Sequence, residues 1–478
     1  MALVRHSGIY FLARILAGGA GFAIIAAYTR LLNPHEFGEL ALALAAVNFF
    51  SGMITYGVMQ AMIRYLPAQS EQARATTLWG LILPAAVLCC LAIVLFLIVA
   101  PENWRAQLAL CAGLLLATTL HQFQLTSAQG TLQPGKYALL GSLESLLDMM
   151  VGITFVWFGY GVEGALFGTT LAALITVAVN WRGWWISWKF FDRALGRQML
   201  RFGLPLIATT LCGWLATFAD RWLLGGYVGA DYAGLYAAGY DLQMNLLGVP
   251  LAVMLLAGYP LTISAYTERG TQAAQDQLRL LGAFVILIVL PEAVGIVMTG
   301  PLLVNIFLGA EFRPLSLSLL PILVGATFLK VLMYYVNCGY ALASRTSLTL
   351  LSMAAAAAVD FILNIILIPR YGAWGAAIAA LIGFGTGFAI SVIKMGRVFP
   401  FPLPDAVIIG AGLLGVAAMA AFLAPFYHVT ALGSALYIIP VAIAIYLGCV
   451  FLVLHLAGRN PLDLMRGLWS AERSSARF

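Results

Sequence analysis

Long apolar runs separated by short polar clusters fill this chain from one end to the other. A helix needs about 20 predominantly apolar residues to cross hydrocarbon. Runs of that kind fall at 8–29, 38–63, 77–100, 107–129, 138–159, 162–181, 202–225, 232–258, 280–300, 315–341, 347–368, 373–394, 405–427 and 432–456. The pattern predicts an all-α polytopic membrane protein of about fourteen transmembrane helices. The longest polar connections, 182–201 and 262–279, run only about twenty residues, so no soluble domain is expected in a loop or at either end.

Composition removes the alternative that a chain of 478 residues would otherwise suggest, a set of soluble domains. Apolar residues make up 62% and charged residues 9%, against roughly 25% charged in soluble domains. So few charges cannot cover a soluble surface. The net charge of +6 bears on orientation rather than class. With both termini cytoplasmic, Arg5, Arg64, Arg74, Lys136, the cations from Arg182 to Arg201 and the tail arginines lie inside. Only Arg30, Arg105, Arg313 and Arg370 then lie outside, as the positive-inside rule requires. No nucleic-acid partner is expected. The six cysteines sit in apolar runs with no C-x-x-C or Cys/His spacing, so they read as small hydrophobes rather than metal ligands or disulfides. Arg5 is followed by a long apolar run with no small-residue cleavage site, so the first span is expected to direct its own insertion.

Two features organise the chain further. Trp181, Trp184, Trp185 and Trp188, followed by Phe191 and Leu195, interleave with Arg182, Lys189, Arg193 and Arg197 at helical spacing. That describes an amphipathic helix in the cytoplasmic interface: an anchor, or a gatherer of polyprenyl lipid. The chain also resembles itself at a shift of roughly 196 to 211 residues. Phe37-Gly38-Glu39-Leu40-Ala41 answers Ala233-Gly234-Leu235-Tyr236-Ala237, and Tyr160-Gly161-Val162-Glu163-Gly164-Ala165 answers Tyr371-Gly372-Ala373-Trp374-Gly375-Ala376. Six spans per copy, an even number, give parallel repeats of the kind found in carriers that rock one half against the other. The expected organisation is a six-helix lobe over 1–181, the amphipathic linker over 182–201 and a second six-helix lobe over 202–394. Helices 13 and 14 follow over 405–456, then a basic cytoplasmic tail over 457–478.

The same segments resemble a known family. Thr29-Arg30-Leu31-Leu32-Asn33-Pro34-His35-Glu36-Phe37-Gly38, Asp220-Arg221-Trp222-Leu223-Leu224-Gly225 with Gly234-Leu235-Tyr236-Ala237-Ala238, and Leu367-Ile368-Pro369-Arg370-Tyr371-Gly372 are similar to signatures of bacterial oligosaccharide flippases. These form the Wzx-like branch of the superfamily that also holds MATE drug exporters and lipid II flippases. The resemblance covers spans one to twelve and implies a MATE-like pair of lobes. It also implies transport of an undecaprenyl-pyrophosphate-linked oligosaccharide from the cytoplasmic to the periplasmic face of a bacterial inner membrane, for O-antigen, capsule or exopolysaccharide synthesis. A polysaccharide polymerase and a chain-length regulator are partners implied by the family alone.

Ionisable groups inside spans are costly and mark candidate sites. Arg14 lies deep in the first span, where relatives carry a cavity arginine, and would meet pyrophosphate; an ion pair with a neighbouring acid is the plainer reading. Arg64, at the cytoplasmic end of span two, resembles a family position. Lys330 in span ten has Tyr334 one turn later and occupies the repeat position of His121 in span four, so both are candidates for a cavity. Asn337, Gln122, Gln124 and Asn364 are candidates for sugar hydroxyls. Asp220 and Arg221 read as bracing for span seven. Glu144 and Asp148 share one face of span five at i, i+4, a pair suited to carry H+ or Na+, and Asp360 is the repeat counterpart of Asp148; Asp241 and Glu292 are further acids inside spans. Beyond such a coupling ion no cofactor is expected. The alternative function is a MATE-like cation-coupled multidrug exporter. An enzyme is not expected, because no nucleophile–base pair, phosphate-cradling loop or metal cluster appears in the sequence.

Overall fold

The computed structural model describes residues 2–66, 70–99, 102–131, 133–180, 186–254, 258–343, 345–396, 398 and 401–459, with the side chains of the first helix described from Leu16. Among the described residues there is no strand. The helices are α1 (Ala2–Leu31), α2 (Pro34–Tyr65), α3 (Ser70–Ala75), α4 (Leu83–Val99), α5 (Glu102–Gly130), α6 (Pro134–Leu147), α7 (Ile153–Phe155), α8 (Gly161–Val179), α9 (Arg193–Tyr227) and α10 (Ala230–Val253). They continue as α11 (Tyr259–Arg269), α12 (Thr271–Phe284), α13 (Leu290–Met298), α14 (Gly300–Phe307), α15 (Arg313–Leu342), α16 (Thr346–Tyr371), α17 (Ala373–Met395), α18 (Ala406–Leu423) and α19 (Leu432–Leu456). π-Helical turns at Thr76–Ile82, Asp148–Gly152, Val156–Tyr160 and Val285–Val289 link some of them.

Ten helical stretches among the described residues are long and apolar enough to cross a membrane. One of these, Gly135–Val179, runs for 45 residues and contains two of the expected spans. The chain turns between them at Gly159 (φ 89°) and Gly161 (φ 51°). α1, α9 and α10 lie where the sequence places spans one, seven and eight.

Contacts gather into two compact units, 2–237 and 238–478, with the boundary inside α10. In the first unit α1, α5, α6 and α8 pack together, and α2 packs along both α5 and α9. Asn33 starts α2 with a reciprocal cap: its side chain accepts from the Glu36 amide at 2.9 Å, and its own amide donates to the Glu36 carboxylate at 3.0 Å. α2 and α9 touch through backbone at Gly57 and Gly203. A methyl on Gly57 would lie 2.5 Å from the Gly203 carbonyl oxygen, and one on Gly203 would lie 2.6 Å from that of Gly57. The first turns of α2 and α10 meet as closely. A methyl on Gly38 would overlap the Ala230 carbonyl, and one on Gly234 would overlap the Pro34 carbonyl. Pro34 and Gly38 are the repeat counterparts of Ala230 and Gly234, so the contact is self-complementary, as in a two-fold interface.

The segment before α9 departs from the expected amphipathic helix. Residues 181–185, which hold three of its tryptophans, lie outside the described residues. From Ile186 the chain is extended apart from one 3-10 turn, Trp188–Phe190, and α9 starts only at Arg193. Asp192 ends the irregular stretch by accepting from the amides of Ala194 (2.7 Å) and Leu195 (3.2 Å). Tertiary bonds outweigh the periodicity: the Trp79 indole donates to the Ile186 carbonyl (3.0 Å), the Asp192 amide donates to the Thr76 hydroxyl (3.0 Å), and the Phe191 ring fills the space over Gly80.

In the second unit α16 and α17 form a hairpin, with α15 along α17. Its corner is Gly372 at φ 55°, ψ −132°, and the α8 corner is Gly161 at φ 51°, ψ −135°. Both follow a tyrosine, so the repeated Tyr-Gly encodes one and the same left-handed turn. α18 and α19 pack beside α13, held where Tyr446 donates to the Leu287 carbonyl (2.8 Å) and Gly412 lies against Ile286. Asp405 caps α18 and pairs with Arg459 just beyond α19.

Candidate functional site

The first unit carries a partly buried polar cluster at the junction of α1, α5 and α6. His121 on α5 is buried, and its Nδ1 lies 3.9 Å from Glu144 Oε1 on α6. Asp148, one turn after Glu144, opens a π-helical turn, a geometry often found at functional positions. Tyr28 on α1 brings its phenol into the same place. A methyl on Gly152 would overlap that phenol while standing 3.6 Å from Asp148 Oδ1. Gly152 is also where α8 crosses, since a methyl on Gly168 would lie 2.7 Å from the Gly152 amide nitrogen. The cluster exists because two glycines let three helices close around it. Tyr28 Oη, His121 Nε2 and Asp148 Oδ1 are buried with no hydrogen bond inside the protein. Buried polar groups are seldom left unmatched, and these can hold a proton, a small cation or a donor group on a ligand.

The second unit places the repeat counterparts differently. Lys330 lies with its ammonium 5.2 Å from the centre of the Phe384 ring, and the buried Asp360 packs against the adjacent Gly383. Helix α17 thus brings the two into one neighbourhood. Tyr334 follows one turn after Lys330, half-buried. Asn337 belongs to a closed network: Ser391 donates to its Oδ1 (2.9 Å), and Ser352 exchanges hydrogen bonds with its amide at 3.2 and 3.3 Å. Its amide braces α15, α16 and α17, leaving little capacity for a sugar. Asn364, fully buried, has no hydrogen bond on either amide atom, and the same holds for Gln243.

The remaining expected residues are scattered. The side chain of Arg14 lies outside the described residues. Arg64 is exposed, with its guanidinium 4.6 Å from the Phe202 ring centre on α9. Gln124 donates to the Val177 carbonyl (3.1 Å), whereas Gln122 faces outward. Asp220 accepts from the Tyr236 hydroxyl (2.5 Å) and the Arg221 amide (2.8 Å), which ties the end of α9 to the start of α10. Sequence reasoning passed over Tyr28, Gly152 and Gln243. Tyr28 sits in an apolar run at a span end, where a tyrosine normally marks only the interface.

Residues 27–317 match the polysaccharide biosynthesis protein family, well over half of the chain. The chain belongs to that family. Two curated relatives of this family member come from Haloferax volcanii. "Probable low-salt glycan biosynthesis flippase Agl15" is 19% identical over 80% of this chain and 81% of its own length. "Probable flippase AglR" is 22% identical over 93% of each. Among solved structures, a lipid II flippase MurJ in an inward closed conformation aligns with a TM-score of 0.71, covering 95% of this chain and 100% of that one at 15% identity. An inward-facing multidrug resistance MATE family transporter aligns with a TM-score of 0.60, covering 82% and 98% at 15% identity. The family member is therefore an all-helical, multi-pass membrane protein with a MurJ- and MATE-like fold, a fold of transporters rather than enzymes.

Proposed function

We propose that this protein is a flippase for lipid-linked oligosaccharides in polysaccharide or glycan assembly. The observation that carries the reading is the family match over 27–317, supported by two relatives named as probable flippases. The chemistry agrees. Each sugar hydroxyl taken unpaired into hydrocarbon would cost several kcal/mol, so a glycan needs a protein-lined polar route while its lipid tail stays in the bilayer. In the finer form of the proposal the cargo is an undecaprenyl-pyrophosphate oligosaccharide moved outward across a bacterial inner membrane. Both termini are cytoplasmic, fourteen helices cross, and two six-helix repeats alternate in access. Arg14 and Arg64 meet pyrophosphate, and Lys330 and Tyr334 contact cargo. Asn337, with its amide already committed, is the weakest of the substrate candidates.

The His121–Glu144–Asp148 group, with Tyr28, is proposed as the place where H+ or Na+ couples to transport, with Asp360 as its counterpart. The same cluster and the MATE-like fold favour one second reading, a cation-coupled exporter of amphipathic drugs. Deleting the gene in its native host and sizing the polyprenyl-linked oligosaccharides separates the two. Loss of surface glycan, with complete repeat units retained on the cytoplasmic side, is the expected result. Normal glycan together with raised sensitivity to cationic drugs would replace the flippase by the exporter.

A further inference from the structure

The start of α9 has two unlike faces. Leu195 and Met199 point inward and, with Ile186, join a buried cluster that includes Leu78 and Ile82. The other side is exposed and carries Arg193, Arg197 and Arg201 at successive turns. Further along, the same face turns apolar, with Leu200 exposed and Leu204 59% exposed. Just before α9, the 3-10 turn leaves Trp188 70% exposed, beside the exposed Lys189 and Phe190. These rings cannot roll inward, because the Ile186 carbonyl and the Asp192 amide on either side of the turn are bonded to Trp79 and Thr76. Stability alone gives the arginines no reason to stand here. Like charges at i, i+4 repel one another along a helix, and cations in a first turn oppose the helix dipole. That turn holds no acid. Asp192, the one acid of 186–201, spends its carboxylate on the Ala194 and Leu195 amides. The positive-inside rule asks only that cations share a side of the membrane, not one face of a helix.

We infer that this face binds the anionic headgroups of bilayer phospholipid. The arginines meet the phosphates, Trp188 and Phe190 lie at headgroup level, and Leu200 and Leu204 border the acyl chains. An outer negative partner relieves both the repulsion along the stripe and its conflict with the helix dipole. Guanidinium forks match phosphate oxygens two at a time, and tryptophan favours the boundary between hydrocarbon and water. The occupant is lipid rather than a soluble polyanion because the stripe passes without a break into the apolar run that begins at 202. Whatever neutralises these charges therefore also borders hydrocarbon. The inner face explains why the site is built rather than incidental: Ile186, Leu195 and Met199 fix the segment to the first unit, so the outer residues are held in register with one another.

Lipid binding to the purified full-length protein tests this with no transport step, so the result is independent of the proposed function. In a neutral detergent, native mass spectrometry reads the affinity for phosphatidylglycerol and for phosphatidylcholine. One cation near an anionic surface is worth about fivefold, so the wild type should hold phosphatidylglycerol at least about fivefold more tightly. The preference should vanish in Arg193→Gln/Arg197→Gln/Arg201→Gln. Without lipid that variant should melt no lower than the wild type, since only repulsion has been removed. The preference should survive in Arg269→Gln/Arg279→Gln/Lys394→Gln, which takes three exposed cations from α11, α12 and α17. No preference in the wild type, its persistence in the first variant, or an equal loss in the second overturns the inference. A lower melting temperature in the first variant does the same, by assigning the arginines to packing. So does one-for-one displacement of phosphatidylglycerol by undecaprenyl pyrophosphate, which would make the face an entrance for cargo.

Discussion

At the scale of single residues, the candidate coupling cluster depends on what is missing as much as on what is present. Gly152 carries no side chain, and the Tyr28 phenol occupies the place where one would stand. Gly152→Ala should therefore cost about 1–3 kcal/mol, as overpacked interiors do, seen as a lower melting temperature. Tyr28→Phe, which removes the obstructing oxygen, should recover part of the loss. An unchanged melting temperature in Gly152→Ala would mean that the phenol is free to move aside. For coupling, Asp148→Asn should flatten the response of transport to an imposed H+ or Na+ gradient while protein levels stay normal. A wild-type response would pass the role to another acid. Glu144 and Asp148 were legible as a pair because helical spacing alone puts i and i+4 on one face. Tyr28 and His121 join them through the packing of α1 and α5 on α6, and no spacing along one helix contains that information. Asn337 shows the reverse: a polar residue in a span reads as a candidate ligand site until its partners, Ser352 and Ser391, are seen.

At the scale of elements, the corners and the linker show how far local pattern reaches. The repeated Tyr-Gly was readable as a duplication, and the structure adds that both glycines adopt the same left-handed conformation. Gly161→Ala and Gly372→Ala should each destabilise by about 1–3 kcal/mol, the cost of holding a side-chain-bearing residue at such a positive φ, measurable by thermal unfolding, whereas Gly141→Ala, inside a helix with open space beside it, should not destabilise at all. Equal effects at all three positions would deny the corners their special geometry. The linker went the other way. Its aromatic and basic residues fit a helical period, yet Ile186–Asp192 is held extended by bonds to Thr76 and Trp79 on the π-helical turn. Periodicity reports what a segment could form alone, and those partners lie more than a hundred residues away. Thr76→Val should loosen this attachment and raise proteolytic cleavage within 186–192, with little change elsewhere.

For the whole molecule, the apolar runs were the most legible feature, because a bilayer leaves helices as the natural way to satisfy backbone groups. The described helices include ten stretches long and apolar enough to cross, one of which holds two of the expected runs, while the expected runs one, seven and eight lie outside those ten. Orientation rests on the Lys/Arg distribution. A fluorescent reporter fused after Phe478 should therefore glow, and alkaline phosphatase at the same place should be inactive; the opposite pair of results would invert the topology.

The meeting of Gly38 with Gly234 carries one more consequence. Where two helices touch through backbone there is little slack, and a gap of about 0.5–1 Å already forfeits a quarter to a half of the dispersion contact between the touching atoms. A single methyl at Gly38 would act there as a doorstop, because it would overlap the Ala230 carbonyl and hold the first turns of α2 and α10 apart. The spacing of these two helices can thus be reset by the smallest edit chemistry allows, one hydrogen exchanged for a methyl.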